Sequence, residues 1–210
     1  MNKESLISKT FDLISNVTNN RFVSIRNHDL IPHQSSMDND IDLLIPAIFM
    51  QSLVDKLSSF GYEIYQDNNQ CMYGAQPHVH LKHHTLNVHF DIVTGLYYRS
   101  IANKNIFINI DTKLTDKMLN NKIKVDTIYR NMPHPNDEIV HLVCHCIFDK
   151  NKTTDRYKDR IIELTKNIDP DIVHDLLKLI FYKASNLIFS KVMNHEVEDL
   201  YESYITFKDY

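Results

Sequence analysis

Two aspartates separated by a single residue, Asp40 and Asp42, begin a short apolar stretch that ends at Pro46. In an extended strand, successive side chains point to opposite faces, so the aspartates share one face while Ile41 and Leu43 share the other. Adjacent carboxylates repel each other unless a cation lies between them, and a hard divalent cation prefers oxygen ligands. The spacing therefore predicts a metal-binding strand.

A second predicted strand, residues 86–93, supplies a third carboxylate. It is rich in β-branched and aromatic residues and is closely followed by Gly95. Its single carboxylate, Asp91, shares a face with His89 because the two positions are two residues apart. Together with the Asp-x-Asp pair, Asp91 completes a set of three candidate catalytic and metal-ligating residues.

The Asp-x-Asp pair alone is weak evidence, since such pairs are also common at strand ends and in turns. The order of elements strengthens the metal interpretation, because a predicted strand precedes the pair, a helix follows, and a later strand carries Asp91. In an extended strand, Asp38 would share a face with Asp40 and Asp42. We exclude it as a ligand because it falls in the polar loop predicted before the strand.

This arrangement resembles the DNA polymerase β-like nucleotidyltransferase superfamily, in which a strand with an Asp-x-Asp pair, a helix and a strand with a lone aspartate follow one another. More narrowly, the chain is similar to a bacterial group of nucleotidyltransferase family proteins of unassigned substrate. The resemblance covers about residues 20–160. The segments that carry it are Arg26-Asn27, Asp40-Ile41-Asp42, Phe90-Asp91-Ile92 and Gly95-Leu96-Tyr97-Tyr98-Arg99.

The resemblance implies transfer of a nucleoside monophosphate from a nucleoside triphosphate such as ATP to a hydroxyl or phosphate acceptor, with release of pyrophosphate. Two Mg²⁺ ions, or Mn²⁺ in their place, would neutralise charge on the entering and leaving oxygens. Asp40 and Asp42 would bridge both ions. Asp91 would bind the ion that activates the acceptor hydroxyl.

The chain departs from the superfamily after its first predicted strand. Members usually carry a Gly-Ser pair about ten residues before the Asp-x-Asp, whereas here Arg26-Asn27 lies near that place and Ser35-Ser36 lies closer to the aspartates. Arg26 offers a rigid fork of donors for a phosphate, and Asn27 or Ser36 can donate hydrogen bonds to it. For Arg26, a surface salt bridge is an equally weighted alternative.

The predicted helical part of the chain contributes two further candidates. By the same resemblance, Lys150 and Tyr157 are expected to bind the nucleotide. A solvated helix end is the alternative interpretation for each of them. Arg99 either faces the same cleft or caps the sheet edge.

Twelve histidines raise the question of another kind of metal site. His141 and His145 lie one helical turn apart, but neither C-x2-C pairs nor an H-E-x-x-H motif accompanies them, which disfavours structural zinc. A second group surrounds a predicted hairpin, and some of its members are expected to line the acceptor pocket near Asp91. This group consists of His78, His80, His83, His84 and His89.

The composition is that of a globular protein, since 43% of the 210 residues are hydrophobic and 24% are charged. A net charge of −4 disfavours a broad surface for extended nucleic acid, so a small-molecule acceptor is expected. Three glycines are too few for a Gly-rich phosphate loop. Three cysteines, with neither a signal peptide nor a long uncharged apolar run, predict a cytoplasmic protein without a membrane segment.

The hydrophobic periodicity predicts an α+β fold built on a small mixed β-sheet. Residues 1–110 would form a nucleotidyltransferase-like core with flanking helices, and residues 111–210 a mainly helical C-terminal subdomain. One helix is expected to begin near Asn136 or Asp137. Other predicted helices are 3–18, 47–60, 154–167, 170–190 and 194–206. The sequence does not predict the oligomeric state.

Two other functions are compatible with the sequence. A binding or antitoxin-like regulatory protein that keeps the fold without turnover would explain the missing Gly-Ser pair, although all three acidic positions are present. In a histidine-lined metal protein, the aspartates would be incidental. Nucleotide binding that depends on Asp40 and Asp42 would exclude this last function.

Overall fold

The computed structural model describes residues 2–28, 31, 40–65, 71–73, 78–103, 106–110, 112–124 and 131–208. Helices and a mixed β-sheet are both present, which confirms the predicted α+β class. Within these ranges, none of the helices combines the length and the apolar character needed to cross a membrane. The α-helices are α1 (Lys3–Thr18), α2 (Met50–Ser59), α3 (Thr112–Asn120), α4 (Pro135–Cys144), α5 (Asp155–Leu164), α6 (Pro170–Phe181), α7 (Ser185–Met193) and α8 (Leu200–Thr206).

Within the described part of the chain, the strands form one larger sheet and two small ones. The strands are β1 (Val23–Ser24), β2 (Ile41–Leu44), β3 (Tyr62–Ile64), β4 (Cys71–Tyr73), β5 (His78–His83), β6 (His89–Val93), β7 (Tyr97–Arg99), β8 (Ile106–Asn109), β9 (Ile123–Lys124) and β10 (Asn131–Met132). The larger sheet has the order β1-β2-β6-β5-β3, and the small sheets have the orders β4-β8-β7 and β10-β9.

The register of the larger sheet aligns three polar residues. Its central pair, β2 and β6, is parallel and places Asp42 beside Asp91. On the other side, β6 pairs with β5 in antiparallel register, which places Asp91 beside His80. Neighbouring strands lie about 4.8 Å apart, so these residues form a short polar row across the middle of the sheet.

A hydrophobic cluster covers the face of the sheet opposite to this row. It contains Ile41 and Leu43 of β2 and Phe90 of β6, together with apolar residues of α1 and α2. Phe11 of α1 packs against Phe22 and Phe90 with ring centroids 5.8 and 5.9 Å away. Because side chains alternate along a strand, burial of this apolar set directs Asp42 and Asp91 to the other face.

The polar face is turned toward the C-terminal helices. Leu44, which shares a face with Asp42, belongs to a second buried cluster whose members come mainly from α3 to α7. Buried Glu138 of α4 connects α5 to the segment that follows β1. Arg160 of α5 donates to both of its carboxylate oxygens at 2.7 Å, and His28 lies 3.2 Å away. Burial would raise the pKa of Glu138, but these two partners lower it.

Two predictions about helices need correction. The single helix predicted over 170–190 is wrong, because the chain turns at Tyr182 with φ of 48° and continues through a 3₁₀ turn, Tyr182–Ala184, into α7. Neither glycine nor proline marks this turn in the sequence. The helix predicted over 194–206 is also too long, because α8 begins only at Leu200. By contrast, α4 begins at Pro135, near the predicted Asn136 or Asp137, and its N-cap His134 accepts a hydrogen bond from the backbone N–H of Asn136.

Other predicted helices agree closely with the structure. The predicted helix 3–18 has the bounds of α1. The predicted helix 47–60 begins as a 3₁₀ turn, Ala47–Phe49, and continues as α2. Beyond α4, the residues His145–Lys150 form a π-helical turn, a widened helix that proteins often use at functional sites.

Candidate active site

The polar row of the sheet opens into a cavity of about 350 Å³ between the sheet and the π-helical turn. This volume lies in the range of small-molecule sites. Charged and histidine side chains from both parts of the chain line it, among them Arg26, Asp42, Asp91, His145, Asp149 and Lys150. The cavity is therefore where chemistry on a charged substrate can take place.

The three predicted catalytic aspartates occupy two kinds of position. Asp42 and Asp91 both line the cavity, and Asp42 is only 4% exposed. Asp40 lies one residue before β2 and does not line the cavity. Its carboxylate is 34% exposed and lies 3.4 Å from His89 Nδ1 and 3.5 Å from the Tyr65 hydroxyl. The structure thus brings together Asp42 and Asp91 and leaves Asp40 beside them.

The Asp42 carboxylate is paired with Arg26 in the fork geometry that matches both of its oxygens. Arg26 Nε donates to Oδ2 at 2.7 Å, and Nη2 lies 2.5 Å from Oδ1. Burial raises the pKa of Asp42, Arg26 opposes this effect, and the charges of Asp91 and Asp40 reinforce it. Burial would lower the pKa of Arg26, but Asp42 raises it, so the guanidinium stays charged. Arg26 therefore compensates the buried charge of Asp42, which the strand register places beside a second carboxylate, Asp91.

The remaining Arg26 nitrogen connects this ion pair to the π-helical turn. Nη1 lies 2.8 Å from His145 Nδ1 and 2.9 Å from His145 Nε2, and His145 Nδ1 also lies 2.9 Å from Asp149 Oδ2. A neutral imidazole with its proton on Nδ1 satisfies both contacts. Burial, together with the charge of Arg26, lowers the pKa of His145 to about 4 even though Asp149 opposes the shift. The widened helix therefore fixes the arginine from its far side.

On the other side of the row, Asp91 is paired with a histidine. His78 Nε2 lies 2.5 Å from Asp91 Oδ1, and the rings of His78 and His80 lie 4.5 Å apart. Burial would raise the pKa of Asp91, but the hydrogen bond and the charge of His78 lower it. This places two of the predicted hairpin histidines beside Asp91. His89, by contrast, contacts Asp40 and Tyr65.

Four of the five predicted nucleotide-binding residues line two cavities. Arg26 and Lys150 line the 350 Å³ cavity with the aspartates. Asn27 and Tyr157 line a neighbouring cavity of about 210 Å³. Tyr157 also stands edge-on to His145, with ring centroids 5.2 Å apart. Ser36 lies outside the described residues.

Sequence reasoning missed two residues of the site, His145 as a partner of Arg26 and Asp149 as a partner of His145. His145 was considered only as half of a zinc pair with His141, but the His141 ring instead contacts the Tyr98 hydroxyl at 2.5 Å. The signal for the Asp149 partnership was present, since histidine and aspartate four residues apart face each other on a helix. Its place opposite Arg26 depends on tertiary packing.

No protein-family model matches this chain, and a search of the curated proteins also found no match. The site must therefore be interpreted from its own geometry.

The buried His145 predicts a loss of stability in acid. In the unfolded chain its pKa is near 6.5, whereas in the folded protein it is about 4, so the unfolded state takes up a proton first as the pH falls. We expect this residue to remove up to about 3 kcal/mol of unfolding free energy between pH 6.5 and pH 4. In urea unfolding across this range, His145→Gln should show a flatter dependence on pH. An unchanged dependence would contradict this prediction.

Proposed function

We propose that this protein is a metal-dependent nucleotidyltransferase that transfers a nucleoside monophosphate from a nucleoside triphosphate to a small-molecule acceptor. The observation that carries the proposal is the pairing of Asp42 with Asp91 on adjacent parallel strands, at a cavity that Arg26 and Lys150 also line. Carboxylates in register can share divalent cations, and cationic side chains bind phosphates.

The oxygen donors at this place suit Mg²⁺. Asp42 and Asp91 would hold the ion, and Asp40 can add a further carboxylate from beside the cavity. When bound, Mg²⁺ neutralises charge on the attacking and leaving oxygens of the transferred phosphoryl group. Because Arg26 now occupies both oxygens of Asp42, its guanidinium must leave the carboxylate before a cation can bind there.

Arg26 would therefore neutralise two different anions in turn. Without substrate it pairs with buried Asp42, which would be costly to leave uncompensated. With a nucleotide present, its planar fork can bind a phosphate instead. His145 would keep the arginine near the cavity in both situations, and Lys150 adds a second positive charge. This exchange of partners would give Arg26 the phosphate-binding role of the absent Gly-Ser pair.

Two features support a small acceptor. The hydrogen-bonded pair of His78 and Asp91 can accept a proton from a hydroxyl group that enters the cavity. A second cavity, of about 500 Å³, shares Tyr98 and Arg99 with the first and continues past Phe148. Both volumes are those of small-molecule sites. An acceptor with one apolar part and one reactive hydroxyl or phosphate would extend across them.

Isothermal titration of the four ribonucleoside triphosphates, with and without Mg²⁺, tests this function. We expect at least one to bind the wild type with a Kd below about 1 mM only when Mg²⁺ is present. Asp42→Asn should abolish this binding because it removes the charge that holds the cation. Asp175→Asn, at a side chain that is 76% exposed on α6, is the matched control and should bind as the wild type does. Failure of all four nucleotides to bind would favour the non-catalytic regulatory protein.

A further inference from the structure

Three side chains on adjoining strands lie close enough to share one metal ion. His78 and His80 of β5 and Asp91 of β6 each place one nitrogen or oxygen within 4.8 Å of the others. Among the residues that the structure describes, no other set of three histidine, cysteine or acidic side chains has this arrangement. The three aspartates Asp40, Asp42 and Asp91 therefore do not form such a group by themselves.

The sheet holds these three side chains on one face. His78 and His80 are two residues apart on β5, and His80 is the direct cross-strand partner of Asp91. Leu81 and Phe90, at the alternate positions of the same strands, are packed in the core on the opposite face. The ligand atoms thus sit on paired backbone rather than on loops, which favours a well-defined site.

The position of His78 provides a separate indication of a ligand. Its side chain is only 7% exposed, and Nδ1 is buried without a hydrogen-bond partner among the described residues. A buried ring nitrogen without a partner is costly, and such atoms are often completed by an ion or a water. All three side chains line the 350 Å³ cavity, so a metal ion can reach them.

We propose that His78, His80 and Asp91 form a site for a first-row transition-metal dication such as Zn²⁺. Imidazole nitrogen favours zinc and its neighbours in the series, whereas Mg²⁺ prefers an all-oxygen shell. Two histidines and one carboxylate leave at least one coordination position open, as catalytic sites of this type do. Around a tetrahedral ion with bonds of about 2.1 Å, ligand atoms lie about 3.4 Å apart. The observed ligand atoms lie within 4.8 Å of one another, so the histidine rings must move to reach that geometry.

This site needs no nucleotide, so it goes beyond the proposed transfer reaction. Its ligands share Asp91 with the proposed Mg²⁺ site, and Asp42 lies beside Asp91 in the sheet. A bound transition metal would add a Lewis acid at the acceptor side of the cavity. The two proposals can fail separately, because one concerns binding of metal alone and the other requires nucleotide.

Titration of the metal-free full-length chain with Co²⁺ and with Zn²⁺ tests the site. The visible absorption of Co²⁺ becomes much more intense when the ion leaves its octahedral water shell for a four- or five-coordinate protein site, and calorimetry gives the Zn²⁺ affinity. We expect one tightly bound ion per chain and no competition from millimolar Mg²⁺. His78→Gln and His80→Gln should each weaken Zn²⁺ binding by about a hundredfold or more, since even residues that only support a ligand contribute tenfold to a hundredfold.

His174→Gln is the matched control, because this histidine lies on α6 and bonds to Asn186. Its Zn²⁺ affinity should equal that of the wild type. His80→Gln provides a second variant if His78→Gln does not fold, as judged by thermal unfolding. A Co²⁺ spectrum in the wild type that is no more intense than that of the hydrated ion, or Zn²⁺ binding that neither variant weakens, would overturn the proposal. In that case His78 and Asp91 form only a hydrogen-bonded pair.

Discussion

Replacing Arg26 with methionine is expected to lower the free energy of unfolding by about 3–5 kcal/mol, because it leaves a buried carboxylate without its counter-charge. The side chains of Asp42 and Arg26 are 6% and 20% exposed, and the arginine donates to both carboxylate oxygens. Methionine keeps the apolar length of the side chain and removes the charge. Urea unfolding at neutral pH, without divalent cations, measures the effect.

Two comparisons isolate the ion pair from other consequences of this substitution. The double variant Arg26→Met, Asp42→Asn should recover most of the lost stability, because it no longer buries an unpaired charge. Arg21→Met changes an exposed arginine of the same segment and should alter stability by less than about 0.5 kcal/mol. A loss below about 1 kcal/mol in Arg26→Met would mean that the pair behaves like a surface salt bridge.

Asp91→Asn is expected to lower the rate of the proposed nucleotidyl transfer by a factor of about 10²–10³, the scale of losing one preorganised electrostatic contact in a transition state. Asparagine has nearly the same shape, so the strand pairing of β6 with β2 and β5 should persist. The loss would therefore come from the missing charge, which in the proposed reaction binds the cation and takes up the proton of the acceptor. Transfer of label from an α-labelled nucleotide to the small-molecule fraction of a cell extract measures the rate.

The controls for this prediction separate chemistry from folding. Thermal unfolding of Asp91→Asn should stay close to that of the wild type. Asp175→Asn, whose side chain is exposed on α6, should transfer label at the wild-type rate. A rate in Asp91→Asn within about threefold of the wild type would show that Asp91 does not take part in the reaction.

The alternation of side chains along each strand was enough to predict which face of the sheet carries Asp42 and Asp91. The alternation around Asp42 and Asp91 correctly predicts that both leave the apolar face of the sheet, because buried Leu43 and Phe90 fix the opposite face. That the two aspartates stand side by side depends on the parallel register of β2 and β6, which are separated by more than forty residues of chain. No local pattern specifies that register.

The partner of Arg26 was not predictable from sequence alone. The two interpretations were a phosphate ligand and a surface salt bridge, whereas the structure shows a buried pair with Asp42 supported by His145. This partnership joins β2 to the π-helical turn, more than a hundred residues later in the chain. In the same way, the helical periodicity predicts one unbroken helix over 170–190. The structure instead has a turn with positive φ at Tyr182, which lets α7 pack on α6. Tertiary packing decides both features.

A crystal structure with Mn²⁺ and a non-hydrolysable nucleoside triphosphate analogue tests the central claim most directly. We expect anomalous density for Mn²⁺ within bonding distance of oxygens of both Asp42 and Asp91, in the cavity that both residues line. Arg26 should have left Asp42 and should contact a phosphate of the analogue. An analogue bound elsewhere, or one bound in the cavity while Arg26 stays on Asp42 and no metal contacts the aspartates, would contradict the proposed nucleotidyltransferase.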